Sequence, residues 1–136
     1  MLLILFYSSC DQYSLLNELN NTHIDYSTAD LHVTGSPVTE SPITGSFTIT
    51  NNGAAGGNYD ISFQIYASTD SVVGDSDFLL DSGLTTALAA GETTEQTFSS
   101  VWPAIRGTYY LVVQVDSPDD EDASNNQTST TTAIAI

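Results

Sequence analysis

Residues 59–68 read Tyr59-Asp60-Ile61-Ser62-Phe63-Gln64-Ile65-Tyr66-Ala67-Ser68. Tyr59, Ile61, Phe63 and Ile65 recur at every second position, with Asp60, Ser62 and Gln64 between them. Side chains alternate across a strand, so this pattern describes an antiparallel strand with one face in a core and the other in solvent. Residues 108–116 (T-Y-Y-L-V-V-Q-V-D) repeat the pattern and put Tyr109, Leu111, Val113 and Val115 on one face.

Shorter strand signals surround these two. Residues 29–36 (A-D-L-H-V-T-G-S) form a first strand, closed by Pro37 and Pro42. Residues 45–51 place Phe47 and Ile49 on one face, and the glycines of N-N-G-A-A-G-G-N then allow a wide bend. Phe78-Leu79-Leu80 is a short strand, and residues 84–90 are a linker ending at Gly91. Residues 92–101 form a strand that stops at Trp102-Pro103. Alternation over Thr128, Thr130, Thr132, Ile134 and Ile136 fits a terminal strand. No segment keeps a helical period. About seven antiparallel strands at this spacing predict an all-β fold, an immunoglobulin-like β-sandwich. Residues 59–68 and 108–116 are then antiparallel neighbours, and the loops after them leave from opposite poles.

The composition bounds the partners. The chain has 136 residues, with 17 Asp and Glu against one basic residue, Arg106, for a net charge of -16. Nucleic acid and anionic lipid headgroups are excluded, because both demand clustered cations. The absence of lysine excludes a Schiff base, a P-loop and a Lys-Asn isopeptide bond. An apolar share of 40% describes one folded domain and not an acidic disordered chain. The single cysteine, Cys10, permits neither an intrachain disulfide nor a C-x-x-C motif.

Residues 1–7 (M-L-L-I-L-F-Y) are too few to span a bilayer as a helix. Two readings of residues 1–9 stand. One is a leader whose removal leaves Cys10 as a lipidated first residue, since Ser9-Cys10 resembles a bacterial lipobox. No Lys or Arg precedes the run, however, and Tyr7 stands where Leu is usual. The other is an apolar tail that packs on this subunit or a neighbour. Residues 10–28 read as a polar stalk and 29–136 as the β-sandwich domain. The expected location is extracellular or at a prokaryotic cell surface, with membrane contact only through the lipid.

The ordered motifs resemble a known family. They run A-D-L (29–31), T-N-N-G-A-A-G-G (50–57), S-T-D-x(4)-D-x-D-x-L-L (68–80), A-L-A-A-G-E-T (87–93), W-P-A-I-R-G-T-Y-Y-L-V-V-Q-V-D (102–116) and S-N-N (124–126). Together they resemble the CARDB domain, named for cell adhesion in bacteria. The resemblance implies an extracytoplasmic immunoglobulin-like module with no common catalytic residues, of the kind that serves as a repeat or spacer in surface proteins.

Nine of the seventeen acids fall in two segments. Asp70, Asp75, Asp77 and Asp81 form one; Asp116, Asp119, Asp120, Glu121 and Asp122 form the other. Calcium takes six to eight oxygen ligands. Asp70, Asp75 and Asp77 are a candidate set, and Asp116, Asp119, Glu121, Asp122 and Asn125 another, although neither has the EF-hand spacing. The plainer reading is a pair of solvated acidic loops. Trp102, Tyr66 and Tyr110 are candidates for a carbohydrate-stacking platform; the alternative for Trp102 is a core plug. His23 and His32 lie near the N-terminus without a nucleophile motif, so catalysis is not expected. Asn20 and Asn126 each head an N-x-T sequon. The functional expectation is a non-catalytic adhesion or surface-structure module, with a carbohydrate-binding module as the alternative. Its partners are other protein subunits or surface polymers. Self-assembly is expected through strand pairing by the terminal A-I-A-I or by residues 1–7.

Overall fold

The computed structural model describes residues 22–136. The expectations for the apolar leader, Cys10 and the Asn20 sequon lie outside them. The strands are β1 (Tyr26–Thr34), β2 (Pro42–Asn51), β3 (Ile61–Ser68), β4 (Phe78–Thr85), β5 (Thr93–Val101), β6 (Thr108–Asp116), β7 (Gln127–Ser129) and β8 (Ile134–Ala135). One sheet has the order β1-β2-β5; the other has β4-β3-β6-β7, with β8 also on β6. All pairings are antiparallel. The two strands that decided the reading are neighbours as expected, with Ser62 opposite Asp116 and Ser68 opposite Tyr110.

The core lies between the sheets. Ile43, Phe47 and Ile49 of β2 meet Ile61, Phe63 and Ile65 of β3 and Leu111, Val113 and Val115 of β6. Phe47 and Phe63 join the two sheets edge to face, with ring centroids 5.2 Å apart. Each fully buried aliphatic side chain contributes about 1.5–3 kcal/mol. Two cross-strand glycines make room for aromatic rings. A Cβ at Gly45 would fall 2.3 Å from the Phe98 ring, and one at Gly83 would fall 2.4 Å from the Phe63 ring. Neither position tolerates a side chain.

A bulge corrects the phase of β1. Tyr26 and Thr28 are buried, whereas after the bulge Leu31 and Val33 pack on the core. The inward positions thus change from even to odd. Asp30, at φ 54, is the extra residue, and pairing shifts between Ala29 and His32. His32 then faces solvent, as its place between two apolar residues implied.

Several expectations need correction. The sandwich begins before residue 29: Ile24 and Tyr26, assigned to the stalk, are core residues. Tyr59, assigned to the inward face of β3, precedes the strand and is 57% exposed. The short strand at 78–80 continues to Thr85 and takes in part of the supposed linker. The terminal strand is broken into β7 and β8. Ile134 pairs with Tyr109, Ala135 pairs with Thr108, and Ile134 and Ile136 pack on the core. The A-I-A-I end therefore adds to its own sheet, paired on one side with β6.

Tyr109 closes the connection between β5 and β6. Its ring is buried and its hydroxyl donates to Ile105 O at 3.0 Å, four residues upstream. This is the tyrosine corner of immunoglobulin-like sandwiches. Tyr109→Phe keeps the ring and leaves the Ile105 carbonyl without this donor. It should lower unfolding stability by about 0.5–1.5 kcal/mol in urea denaturation. An unchanged midpoint would show that the corner contributes nothing here.

Candidate functional site

The densest polar cluster occupies one pole, where residues 22–25 enter β1, residues 52–60 enter β3, and residues 117–126 leave β6. Asn51 organises it. The side chain is fully buried yet satisfied: its Oδ1 accepts from Gly53 N–H at 2.9 Å, and its Nδ2 donates to Ala55 O at 2.8 Å and Leu88 O at 3.1 Å. Sequence inspection read Asn51 only as the start of a turn. An N-N-G at a strand end was the available signal, because Asn holds its own turn through such bonds.

The carboxylates of the second acidic segment bind backbone and side-chain donors. Asp119 Oδ2 accepts from Asn58 N–H at 2.7 Å, and its Oδ1 from the Ser117 hydroxyl at 2.8 Å. Asp120 Oδ1 accepts from Asp122 N–H at 3.1 Å and Tyr26 N–H at 3.4 Å, while its Oδ2 accepts from Asn126 Nδ2 at 2.7 Å. Glu121 Oε2 accepts from Ile24 N–H at 3.0 Å and meets His23 Nδ1 at 2.6 Å. Glu121 N–H donates back to Ile24 O. Asp122 Oδ1 caps the short 3-10 turn Ala123–Asn125 through Ser124 N–H at 3.0 Å. Asn125 Nδ2 donates to Asp25 Oδ1 at 2.9 Å. Asp116 stands exposed at the end of β6.

The first acidic segment is built in the same way. Asp70 Oδ1 accepts from Val72 N–H at 2.9 Å, and Asp77 Oδ2 from Gly74 N–H at 2.7 Å; Asp75 is exposed. The loop leaves from the opposite pole, as expected, then turns back along the outer face. There Val73 N–H donates to Gln127 Oε1 at 3.2 Å. Val112, on the outward face of β6 opposite Tyr66, is fully buried. Among the described residues no three His, Cys, Asp or Glu side chains gather to hold a metal ion. Several carboxylates of the two sets drawn from sequence take N–H donors instead, from their own loops at Asp70, Asp77 and Asp122 and from Asn58 and Ile24 at Asp119 and Glu121.

The aromatic platform is also corrected. Trp102 is 2% exposed and belongs to the core, so it cannot stack on a sugar. Tyr66 and Tyr110 lie half-buried on the outer face, on either side of the β3–β6 pairing, with Tyr66 opposite Val112 and Tyr110 opposite Ser68. The sequon at Asn126 is buried, with its amide nitrogen on Asp120. Arg106 is exposed in the turn before β6 and makes no ion pair among the described residues.

Partial burial opposes the charge on Asp119, yet the donors from Asn58, Ser117 and the neighbouring backbone outweigh it and hold the carboxyl below its ordinary 3.8. The folded state thus favours the charged form. Its stabilisation is present above pH 3.8 and is lost as the pH falls through the lower folded value. Asp119→Asn should lower the melting temperature at pH 7 and flatten the decline below pH 3.8. Parallel acid limbs for the two proteins would overturn this.

The comparisons with known proteins bear on the whole sandwich. No curated protein sequence matches the chain. The CARDB domain of a Pyrococcus furiosus protein, crystallised in complex with di-metal ions, superposes with a TM-score of 0.56 at 16% identity, over 83% of this chain and 88% of that one. A solution structure of the same domain gives 0.56 at 18% identity, over 83% and 94%. β-Glucosidase 3B of Thermotoga neapolitana, in complex with α-D-glucose, gives 0.51 at 16% identity; the likeness covers 83% of this chain but only 16% of the enzyme, and it shows the fold alone. The CARDB family profile matches residues 28–132, so the chain belongs to the CARDB family, as a β-sandwich module of that kind.

Proposed function

We propose that this CARDB module is an extracytoplasmic, non-catalytic binding domain, used in adhesion or surface structure with protein subunits or surface polymers as partners. The observation that carries the reading is the fate of the polar side chains. The carboxylates hold loops together, and among the described residues no nucleophile, base and carboxylate form a chain of contacts. His32 illustrates this. It shares an open trough with Thr44, Ser46, Ser99 and Asp81. Ser99, however, lies two strands from β1 in the order β1-β2-β5, about 9–10 Å away. Asp81 is occupied by the N–H groups of Ser82 and Ser99. That is the wrong geometry for a hydrolase.

Surface location is tested by antibody labelling of intact cells, because an impermeant amine reagent would find no lysine on this chain. Staining before permeabilisation is expected. Signal only after permeabilisation would refute the reading. The intact mass of the native protein reports removal of residues 1–9 and any lipid on Cys10.

A second reading, a divalent cation at the acidic pole, has one specific observation behind it. The Oδ1 atoms of Asn125 and Asn126 are buried without a hydrogen-bond partner, while their amide nitrogens sit on Asp25 and Asp120. Amide and carboxylate oxygens are the donors that calcium takes, and the Pyrococcus furiosus domain was crystallised with metal ions. Added calcium should raise the melting temperature and a chelator should lower it, by mass action on the folded state. A midpoint indifferent to both would remove the cation.

A further inference from the structure

The two poles of the sandwich differ in kind. At one, Tyr59 is 57% exposed, and acids lie close to it in the chain and the fold. Asp60 follows it in the chain and Asp116 ends the neighbouring β6, while Asp119 holds the Asn58 N–H just before it. The Ser117 hydroxyl ties the group together by donating to Asp60 O at 3.2 Å. Exposed aromatic faces attract a cation by their quadrupole, and flanking carboxylates add charge-assisted hydrogen bonds. This pole therefore presents a receptor for a guanidinium.

The only guanidinium of the chain lies at the other pole. Arg106 is in the turn between β5 and β6, beside Ile105, which is 61% exposed. Val101 ends β5 at the same pole, and the turn carrying Val38 is bonded there through Glu40 N–H to Trp102 O and Trp102 N–H to Ser41 O. Val38 and Val101 are also exposed. Glu40 is the acid on that turn. A small apolar surface carrying one cation thus faces away from an aromatic surface carrying several acids.

Lateral growth by strand addition is less favoured. At the β4–β5 side, Ser99 N–H donates to Asp81 Oδ2 and Ser100 Oγ to Leu80 O. At the β1–β7 side, Thr128 Oγ1 donates to Thr28 O, and the start of β1 is capped by Glu121 and Asp120. Charged or hydrogen-bonded edges resist pairing with another strand.

We propose that copies of this chain associate head to tail, with Arg106 and Ile105 of one molecule seated on Tyr59 and its surrounding carboxylates on the next. The contact is heterologous, so it leaves a free pole of each kind and can extend. It does not depend on the surface location proposed above.

The test uses the full chain in light scattering and sedimentation up to about 1 mM, where contacts near the weak limit of specific binding are populated. The wild-type average mass should rise with concentration and fall back with added salt, which screens exposed charge. Arg106→Glu and Tyr59→Ala each remove one pole at an exposed residue. Both should melt like wild type and remain monomeric. An equimolar mixture of the two retains one intact contact per pair and should stop at twice the monomer mass. Any of three results would overturn the proposal: a monomeric wild type, variants that associate as the wild type does, or a mixture that remains monomeric. A discrete wild-type dimer that does not grow would also overturn it, in favour of a symmetric contact.

Discussion

Seventeen carboxylates and one guanidinium cannot be paired by salt bridges. The negative charge must be met by other donors, and in this chain they are backbone N–H groups, hydroxyls and amides. Hydrogen bonds to a charged acceptor are worth about 1.5–3 kcal/mol each, more than neutral ones. Loop 117–126 therefore takes its shape from its acids. Through Asp120 and Glu121 it also fastens the start of β1, in one sheet, to the end of β6, in the other. The same use of oxygens explains why crowded aspartates form no three-ligand centre among the described residues.

The parts of the fold legible in sequence were those governed by one-sided burial. Period-two alternation identified β3 and β6, because each buries one face in the core, and the sandwich topology then made them neighbours. Alternation alone could not say where a ladder begins. Tyr59 continues the pattern of Ile61 and Phe63, but the preceding residue is drawn to Asp119, and the strand starts two residues later. Gly83 is the seat of the Phe63 ring from the adjacent strand, which only the pairing reveals. The clustering of acids was plain, but their role was not. A carboxylate that caps an N–H two residues away, as in Asp70 with Val72 or Asp122 with Ser124, has the same sequence as one waiting for calcium. The candidate site was therefore located by composition, while the loop-holding role of its carboxylates rests on donors far away in sequence, such as Ile24 for Glu121 and Asn58 for Asp119.

Trp102 shows the same limit from the apolar side. A tryptophan before proline at the end of a polar strand fits a core plug, the favoured reading, and also a surface platform. Its burial follows from the Glu40 and Ser41 backbone bonds that fold the β1–β2 turn against residue 102. Those bonds join residues about sixty apart, beyond any local pattern. Tyr109, by contrast, sat on the inward face of an unambiguous strand, and its burial was legible.

The edge and pole chemistry belong together. Side-chain donors and carboxylates meet edge groups of β1, β4 and β5 at Thr28 O, Leu80 O and Ser99 N–H. The bulge at Asp30 and the break between β7 and β8 make the remaining edge irregular. Lateral contacts between such molecules also bring like charges within a Debye length of about 8 Å, where repulsion is unscreened. At the poles the balance changes. The strands run roughly from pole to pole, so an apolar turn and an acidic loop end up as far apart as the molecule allows. Two copies approaching by their acidic poles repel. Two approaching by opposite poles bring the one cation towards the exposed aromatic and its carboxylates. Electrostatics thus acts mainly on orientation, selecting the asymmetric approach over the symmetric acidic one before any apolar surface is buried.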